Sequence, residues 1–237
     1  MMTQLFHADC FDVFPNIDAH SIDLVILDLP YNQTACKFDK NKVDLDKLWK
    51  ELKRIGKPKA AYIFFCTTRF GHELISSNKP YFRRDLCYVK SMSTLFYHAN
   101  YQELRAHEMI YIFSKGRTTY NPQKTDGQPY TRVPGRRTEL YAGQSPRVNT
   151  QNADGKRFPR SVIHIDKSNY KSTHPTAKPY EIMQYIIRTY SNENDTVLDP
   201  FMGTGSSAQV CLDNNRRYIG IEKDIKYYQI AKEITES

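Results

Sequence analysis

The chain has 237 residues and a mass of 27.7 kDa, which fits one sizeable domain or one domain that carries an insert. Because 40% of its residues are hydrophobic, the composition excludes wholesale disorder. It contains 34 Lys and Arg against 26 Asp and Glu, a net charge of +8, which favours a polyanionic partner such as nucleic acid.

Short apolar runs alternate with amphipathic stretches along the chain. The patterns predict strands at 4–7, 22–27, 61–66, 85–90, 109–113, 196–198 and 218–221, and helices at 45–54, 70–76, 179–190, 206–214 and 225–230 or slightly beyond. Several strands are almost wholly apolar, as is expected where helices cover both faces of a mainly parallel sheet. We therefore predict an α/β, doubly wound, mostly parallel sheet.

Residues 115–160 break this pattern. They contain ten Lys and Arg against three acids, a net charge of 10 − 3 = +7. The segment is either a solvated insert or a basic surface that follows phosphates, with Tyr120, Tyr130, Tyr141 and Phe158 available to stack against bases. The density of arginines favours the second interpretation. The predicted domains are thus a body made of residues 1–114 and 161–237, and an insert made of residues 115–160.

Strand 22–27 leads into Asp28-Leu29-Pro30-Tyr31. Ligands bind at the carboxyl ends of strands in open parallel sheets, and Pro30 stiffens this turn. A carboxylate, a backbone carbonyl and an aromatic ring in a row suit a planar group that carries an NH2. Alone, the same four residues also fit a plain turn in which Asp28 caps local N–H groups.

Strand 196–198 leads into residues 199–206, whose sequence is DPFMGTGS, and then into a helix. The Gly-rich turn also matches a dinucleotide-binding pattern, with Glu222 available for ribose hydroxyls. A carboxylate at the strand end, Asp199, would repel a pyrophosphate but attract the ammonium and sulfonium of S-adenosylmethionine. Residues 174–179, HPTAKP, open the next predicted helix and could receive a carboxylate through Lys178 and the helix N-terminus.

Taken in this order, the three motifs resemble those of the permuted β class of amino-DNA methyltransferases, most closely the adenine-N6 enzymes. The resemblance implies the methyltransferase fold in circularly permuted motif order, S-adenosylmethionine as cofactor, double-stranded DNA as partner, and residues 115–160 as the target-recognition insert. Leu29 departs from the family pattern, which has proline there. An acid at position 28 is more typical of adenine-N6 enzymes, because cytosine-N4 enzymes more often carry serine.

The resemblance also implies roles for individual residues. The target-base clamp is assigned to Asp28, Leu29, Pro30 and Tyr31. S-adenosylmethionine binding is assigned to Asp9, Thr176, Lys178, Asp199, Phe201, Gly203, Gly205 and Glu222. DNA binding is expected from the basic residues Lys115, Arg117, Arg132, Arg136, Arg137, Arg147, Lys156, Arg157 and Arg160.

These residues together predict site-specific transfer of a methyl group from S-adenosylmethionine to the N6 amine of an adenine flipped out of duplex DNA. The alternatives are cytosine-N4 methylation by the same fold, a nicotinamide-dependent oxidoreductase, and a DNA-binding protein without activity. A homodimer and a cognate restriction endonuclease are candidate partners that the sequence leaves open.

Sequence patterns also bear on location and metals. The first residues lack a secretory-signal pattern, the apolar runs are too short to cross a bilayer, and the cysteines and histidines are dispersed. We therefore expect a cytoplasmic protein, associated with the nucleoid through DNA, with no membrane contact and no metal.

Overall fold

The computed structural model of the protein describes residues 3–30, 43–94, 96–132, 150–165 and 178–236. Within these ranges the strands are β1 (Thr3–His7), β2 (Ile22–Leu27), β3 (Gly56–Cys66), β4 (Phe82–Thr94), β5 (Arg105–Phe113), β6 (Tyr130–Arg132), β7 (Thr150–Asn152), β8 (Val162–His164), β9 (Thr196–Asp199) and β10 (Arg217–Glu222). The helices there are α1 (Cys10–Val13), α2 (Leu45–Ile55), α3 (Thr68–Ser77), α4 (Tyr180–Tyr190), α5 (Ser206–Asp213) and α6 (Ile225–Glu236).

Eight of the described strands form one sheet in the order β1-β10-β9-β2-β3-β5-β4-β8. The first five strands in this order, β1, β10, β9, β2 and β3, are parallel to one another. Strand β5 is antiparallel to both β3 and β4, and β8 is parallel to β4. Strand β4 therefore points the same way as β3. Consequently, the loop from β4 to β5 lies at the same edge of the sheet as the carboxyl ends of β2 and β3.

Two apolar layers cover the faces of this sheet, because successive side chains of a strand point to opposite sides. On one face Val25 and Leu27 belong to a cluster with residues of α1, α2 and α3. On the other face Leu24 and Ile26 belong to a cluster with residues of α4, α5 and α6. Helices on both faces of a mostly parallel sheet confirm the predicted fold class.

All the predicted strands and helices are present, but several strands are longer than predicted. Strand β3 begins at Gly56 rather than at residue 61, because the polar and proline-containing stretch 57–59 hides its start in the sequence. Strands β4 and β5 extend past their apolar centres into polar residues. The short elements α1, β6, β7 and β8 were not predicted.

The chain divides into two compact units, Met1–Asn121 with Ser161–Ser237, and Pro122–Arg160. The second unit starts at Pro122, so Lys115 and Arg117 of the predicted insert lie in the first unit. Within the second unit, β6 pairs with β7 in antiparallel fashion, and Thr125 forms a β-bridge with Arg157. No helix among the described residues is long and apolar enough to span a membrane.

The chain leaves the first unit after Asn121 and returns to it at Ser161, and hydrogen bonds within the first unit hold both points. The Asn121 N–H donates to the Thr189 carbonyl at 2.8 Å, and the Asn121 side-chain amide donates to the Ser191 carbonyl at 3.0 Å. On the return, the Ser161 carbonyl accepts the Cys87 N–H at 2.8 Å, and the chain continues as β8 beside β4. We call these contacts the Asn121 and Ser161 anchors.

Candidate active site

Four acidic residues lie along one edge of the sheet. Strands β1, β10, β9 and β2 are neighbours and parallel, so their carboxyl ends share an edge. Asp9 follows β1, Glu222 ends β10, Asp199 ends β9 and Asp28 follows β2. The topology thus brings together residues that are up to 213 positions apart in the sequence, by 222 − 9. We call this row the acidic edge.

Asp28 is held by a lysine from the segment before α4. The Lys178 Nζ lies 2.7 Å from Asp28 Oδ2 and 3.2 Å from Glu108 Oε1. Glu108, on β5, also accepts Lys90 of β4 at 3.5 Å through its other oxygen. The side chains of Lys178 and Glu108 are largely buried, whereas a third of the Asp28 side chain is exposed. Of Asp28, Lys178 and Glu108, Asp28 is therefore the one open to an incoming ligand.

The charges in this network set its protonation states. Burial raises the pKa of Asp28, the Lys178 ammonium opposes that rise, and the Glu108 carboxylate adds to it. Burial alone would raise the pKa of Glu108 as well, but the two lysines together hold it below its ordinary value. Glu108 therefore stays ionised at neutral pH, and its negative charge lies beside the Lys178 ammonium.

Glu108 was not among the predicted site residues. Its signal in the sequence is a lone acid in the strand RAHEMIYIF, which is otherwise apolar from Met109 onward. A buried acid on a central strand needs a partner, because an unpaired buried charge is costly. The sequence could not show that this partner is Lys178, which is 70 residues away by 178 − 108.

Pro30 and Leu29 complete the described part of the turn after β2. Leu29 is buried at 3% exposure, and its side chain belongs to the cluster on the α2 and α3 face. A leucine where the family has proline is thus accommodated by packing. Tyr31, the last residue predicted for the clamp, lies outside the described residues.

Asp199 braces the glycine turn between β9 and α5. It is buried at 4% exposure, and its two oxygens accept the Phe201 N–H at 3.1 Å and the Ser207 hydroxyl at 2.5 Å. The Ser207 hydroxyl in turn lies 2.8 Å from the Tyr218 hydroxyl. Burial raises the pKa of Asp199 to about 7. In this structure Asp199 therefore shapes the turn, and its direct contact with a cofactor stays a prediction.

The glycines of this turn have different reasons for being glycine. Gly205 has φ 80°, and a Cβ there would lie 2.8 Å from the Ala231 Cβ, so α5 begins in close contact with α6. Gly203 has φ 54°, but no described atom lies within 4 Å of the place of its Cβ. Close packing thus requires glycine at 205, and open space at 203 leaves room for a ligand near the backbone.

Glu222 holds the turn from the neighbouring strand. Its carboxylate accepts the Gly203 N–H at 3.0 Å and the Asp224 N–H at 2.8 Å. Burial raises its pKa, and these backbone donors oppose the rise. Asp9 likewise accepts a backbone N–H, from Phe11 at 3.0 Å, and caps α1.

The acidic edge and the open Gly203 turn fit S-adenosylmethionine by their chemistry. The cofactor carries an ammonium and a sulfonium, which carboxylates attract, and ribose hydroxyls, which can donate to a carboxylate such as Glu222. Lys178, which was predicted to bind the cofactor, pairs with Asp28 and Glu108 in this structure, and its contact with the cofactor stays a prediction. Thr176 lies outside the described residues.

The predicted DNA-binding residues fall into three groups. Lys115, Arg117 and Arg160 are exposed. Lys156 pairs with Asp126, while Arg157 donates to the Asn152 side chain at 3.0 Å and to the Gly155 carbonyl at 2.7 Å. Outside the described residues or side chains are Arg132, Arg136, Arg137 and Arg147.

The aromatic residues of the predicted insert also have protein partners. Arg157 lies over the Tyr130 ring and Lys124 over the Phe158 ring, with cation-to-centroid distances of 4.6 Å in both pairs. Tyr120 packs against Tyr190 of α4 in the first unit. Three of the four aromatics expected to stack on bases therefore contact the protein itself, and Tyr141 lies outside the described residues.

Comparison with known proteins identifies relatives over nearly the whole chain. A family model described as DNA methylase, for N6 and N4 methyltransferases, matches residues 22–233. The chain is 31% identical over 252 residues to the Type II methyltransferase M.HpaI of Haemophilus parainfluenzae, covering 100% of this chain and 75% of that protein. It is 28% identical over 268 residues to the Type II methyltransferase M1.MboII of Moraxella bovis, covering 97% and 95% of the two chains.

Solved structures agree on the fold. The M1.HpyAVI–SAM complex superposes with a TM-score of 0.68 at 23% identity, covering 98% of this chain and 99% of that one. The PvuII DNA methyltransferase, described as cytosine-N4-specific, gives a TM-score of 0.69 at 14% identity, covering 99% and 86% of the two chains.

Proposed function

Since the chain belongs to the DNA methylase family of N6 and N4 methyltransferases, and so transfers a methyl group from S-adenosylmethionine to DNA, we propose that its target is the N6 amine of adenine. The family match confirms the sequence-based assignment to the amino-DNA methyltransferases. It also makes the nicotinamide-dependent alternative wrong, because the Gly203 and Gly205 turn belongs to a methyltransferase.

The observation that carries this proposal is the position of Asp28. Its carboxylate lies partly exposed at the carboxyl end of β2, next to β9, which ends at the glycine turn. Lys178 binds Oδ2, and no described donor binds Oδ1. A carboxyl oxygen without a described donor, beside a cofactor turn, suits an exocyclic amine, and an acid here is the pattern typical of the adenine-specific members.

The clamp works by freeing the lone pair of the amine. The nitrogen of N6 is a weak nucleophile because its lone pair is conjugated with the ring. Asp28 and the Leu29 carbonyl accept its two hydrogens and draw them out of the ring plane, which ends the conjugation and frees the lone pair to attack the methyl group. Preorganised acceptors of this kind stabilise the positive charge that develops on the nitrogen. The proton then leaves to Asp28 or to water.

The bound cofactor supplies an electrophilic methyl group on its sulfonium. The protein positions the target amine against this methyl group, and such alignment alone can lower the activation barrier of the transfer substantially. The target amine lies inside duplex DNA, so the base must leave the stack to reach Asp28. Tyr31 is proposed as the ring on which the extruded base stacks.

Cytosine-N4 methylation is the second candidate, because the PvuII structure described as cytosine-N4-specific is similar over 99% of this chain. At 14% identity that likeness shows the fold and not the target base. Mass spectrometry of nucleosides from methylated DNA separates N6-methyladenine from N4-methylcytosine. We expect N6-methyladenine, and finding only N4-methylcytosine would refute the adenine proposal.

The Asp28 mechanism has its own test. We expect Asp28→Ala to abolish methyl transfer while binding of S-adenosylmethionine, measured by calorimetry, changes little. Turnover close to that of the wild type would refute the clamp. Asp12→Asn is a suitable control, since Asp12 is an exposed acid on α1.

Long-read sequencing of DNA from cells that express the protein would give the recognition sequence together with the modified base. A cognate restriction endonuclease, a homodimer and association with the nucleoid remain predictions. Restriction sensitivity of the mapped site in the native host, and sedimentation of the purified protein, test the first two directly.

A further inference from the structure

The end of β4 and the loop from β4 to β5 concentrate the exposed large apolar side chains of the described residues. The four most exposed large hydrophobic residues are Met92 (70%), Phe96 (77%), Tyr97 (94%) and Tyr101 (86%). The other exposed large hydrophobics of the described residues reach at most 66%. Singly exposed apolar residues are ordinary, but a cluster of this kind marks an interaction site. We call residues 92–101 the aromatic tip.

The aromatic tip lies at the same edge of the sheet as the catalytic carboxylate. Glu108 of β5 is connected to Asp28 through one lysine, by distances of 3.2 Å and 2.7 Å. From Glu108, β5 continues back to Arg105, where it still pairs with Thr94 of β4. Three more residues of strand span roughly 10 Å. The tip therefore projects past the acidic edge on the same side as Asp28.

Because of this position, we expect DNA to be the partner that contacts the aromatic tip. A flipped base stays attached to its strand, so the duplex must lie at the opening that leads to Asp28. The tip projects at that opening and meets the duplex next to the target base. Its charge is close to neutral, because residues 92–101 contain one histidine and no Lys, Arg, Asp or Glu. It is therefore suited to base faces rather than to phosphates.

We propose that the aromatic tip enters the duplex at the target site, where Phe96 and Tyr97 stack in the space that the flipped base leaves. Apolar and aromatic wedges unstack base steps in other DNA-binding proteins, and stacking is favourable for any base because every base has a π face. This role goes beyond the clamp and rests on the proposed flipping of the target base. It adds residues that stabilise the flipped state without touching the reacting atoms.

The test compares a double variant, Phe96→Ala with Tyr97→Ala, on two synthetic duplexes that carry the mapped site. One duplex is fully paired. In the other, an abasic site faces the target base, so that base is already unpaired. We expect kcat/KM to fall by about 10- to 100-fold on the paired duplex, in line with the loss of one or two stacked bases. On the abasic duplex the loss should shrink to about threefold or less.

Two controls separate stacking from other effects. Tyr97→Phe keeps a flat ring and should retain activity on both duplexes. Val162→Ala removes an exposed apolar side chain from β8, away from the tip, and should change neither rate. In a paired duplex that carries 2-aminopurine at the target position, the double variant should also lose the fluorescence increase that accompanies flipping.

Several outcomes would overturn the proposal. An equal loss on both duplexes, or no loss on the paired one, would show that the tip does not support flipping. A change from dimer to monomer in sedimentation, with rates unchanged, would assign the tip to a second copy of the chain. The paired and abasic duplexes are built on whichever base the wild type methylates, so failure of the adenine proposal would affect only the 2-aminopurine measurement and not the comparison of rates.

Discussion

Lys178 pairs with the carboxylates of Asp28 and Glu108, and its positive charge lowers the pKa of both. Removing one partner of a buried charge network leaves the others uncompensated, which is generally more costly than never having built the network. Because Asp28 must be ionised to accept a hydrogen bond from the amine, any change in its pKa moves the acidic limb of the activity profile. Substitutions at Lys178 and Glu108 should therefore move that limb in opposite directions.

We expect Lys178→Met to shift the acidic limb of kcat/KM to higher pH, because loss of the ammonium raises the pKa of Asp28. Glu108→Gln should shift it to lower pH, because loss of a nearby negative charge lowers that pKa. Rates between pH 4 and 9 measure both. Lys57→Met is a matched control, since Lys57 pairs with Asp23 at the same distance, 2.7 Å, near the start of β2.

The same variants decide what Lys178 binds. If it acts on Asp28, the affinity for S-adenosylmethionine in Lys178→Met should stay within a few fold of the wild type. A large loss of cofactor affinity with an unmoved acidic limb would instead support the role predicted from the sequence, as a partner of the methionine carboxylate.

Asp199 gives a prediction about stability. Its pKa is about 7 in the folded protein, above the value near 4 expected for an unfolded chain. Between these two values the folded state holds a proton that the unfolded state has released. The contribution of Asp199 to stability is therefore fully present below pH 4 and is lost as pH rises towards 7.

We expect Asp199→Asn to flatten the pH dependence of the melting temperature between pH 4 and 7, because the amide does not titrate. Thermal scans across that range measure it. The exposed Asp12→Asn should leave the profile unchanged. Identical profiles for wild type and Asp199→Asn would show that this buried carboxyl does not titrate as described.

At the scale of elements, the turn between β9 and α5 depends on two glycines for different reasons. We expect Gly205→Ala to destabilise the fold by at least about 1–3 kcal/mol from backbone strain, with overlap on Ala231 in addition. Gly203→Ala should carry backbone strain as well, since Gly203 has φ 54°, and it should also cost cofactor affinity, because its Cβ would enter the open space beside the turn. Chemical denaturation and calorimetry separate the two effects, and Gly116→Ala, with no described atom within 4 Å, should change neither.

The elements show what a sequence can predict. Buried strands such as β2 are readable because they are apolar without interruption, and the motif after each marks the functional edge. The direction of β5 in the sheet cannot be predicted from the sequence, because an antiparallel strand between parallel neighbours has the same apolar pattern as a parallel one. For the same reason the sequence did not show that the β4–β5 loop lies at the same edge of the sheet as Asp28, or that Glu108 and Lys178 meet.

At the scale of the whole molecule, charges of opposite sign suit two different ligands. The acidic edge attracts a cationic cofactor, while the surplus of basic residues favours DNA. The net charge of +7 on residues 115–160 overstates the part free to meet phosphates, since Lys156 and Arg157 already have partners in the second unit. The composition predicted DNA binding correctly but could not show which basic residues hold the protein itself.

This division predicts two kinds of arginine variant. Arg160 is exposed, so Arg160→Gln should reduce the slope of log Kd against log salt by about 1 and leave the melting temperature unchanged. Arg157→Gln should lower the stability of the second unit, because the guanidinium carries several of its internal hydrogen bonds. Fluorescence anisotropy between 50 and 200 mM salt and thermal scans measure them. A wild-type affinity independent of salt would contradict DNA binding through these residues.

The Asn121 and Ser161 anchors have a consequence for engineering. Each fixes the chain by backbone contacts within the first unit, at the points where the chain leaves for the second unit and returns. Neither contact depends on the sequence or length of the stretch between them. A segment from a related enzyme, joined at 121 and 161, would inherit both attachments. These two positions are therefore the natural junctions for chimaeras that exchange the segment predicted to recognise the target sequence.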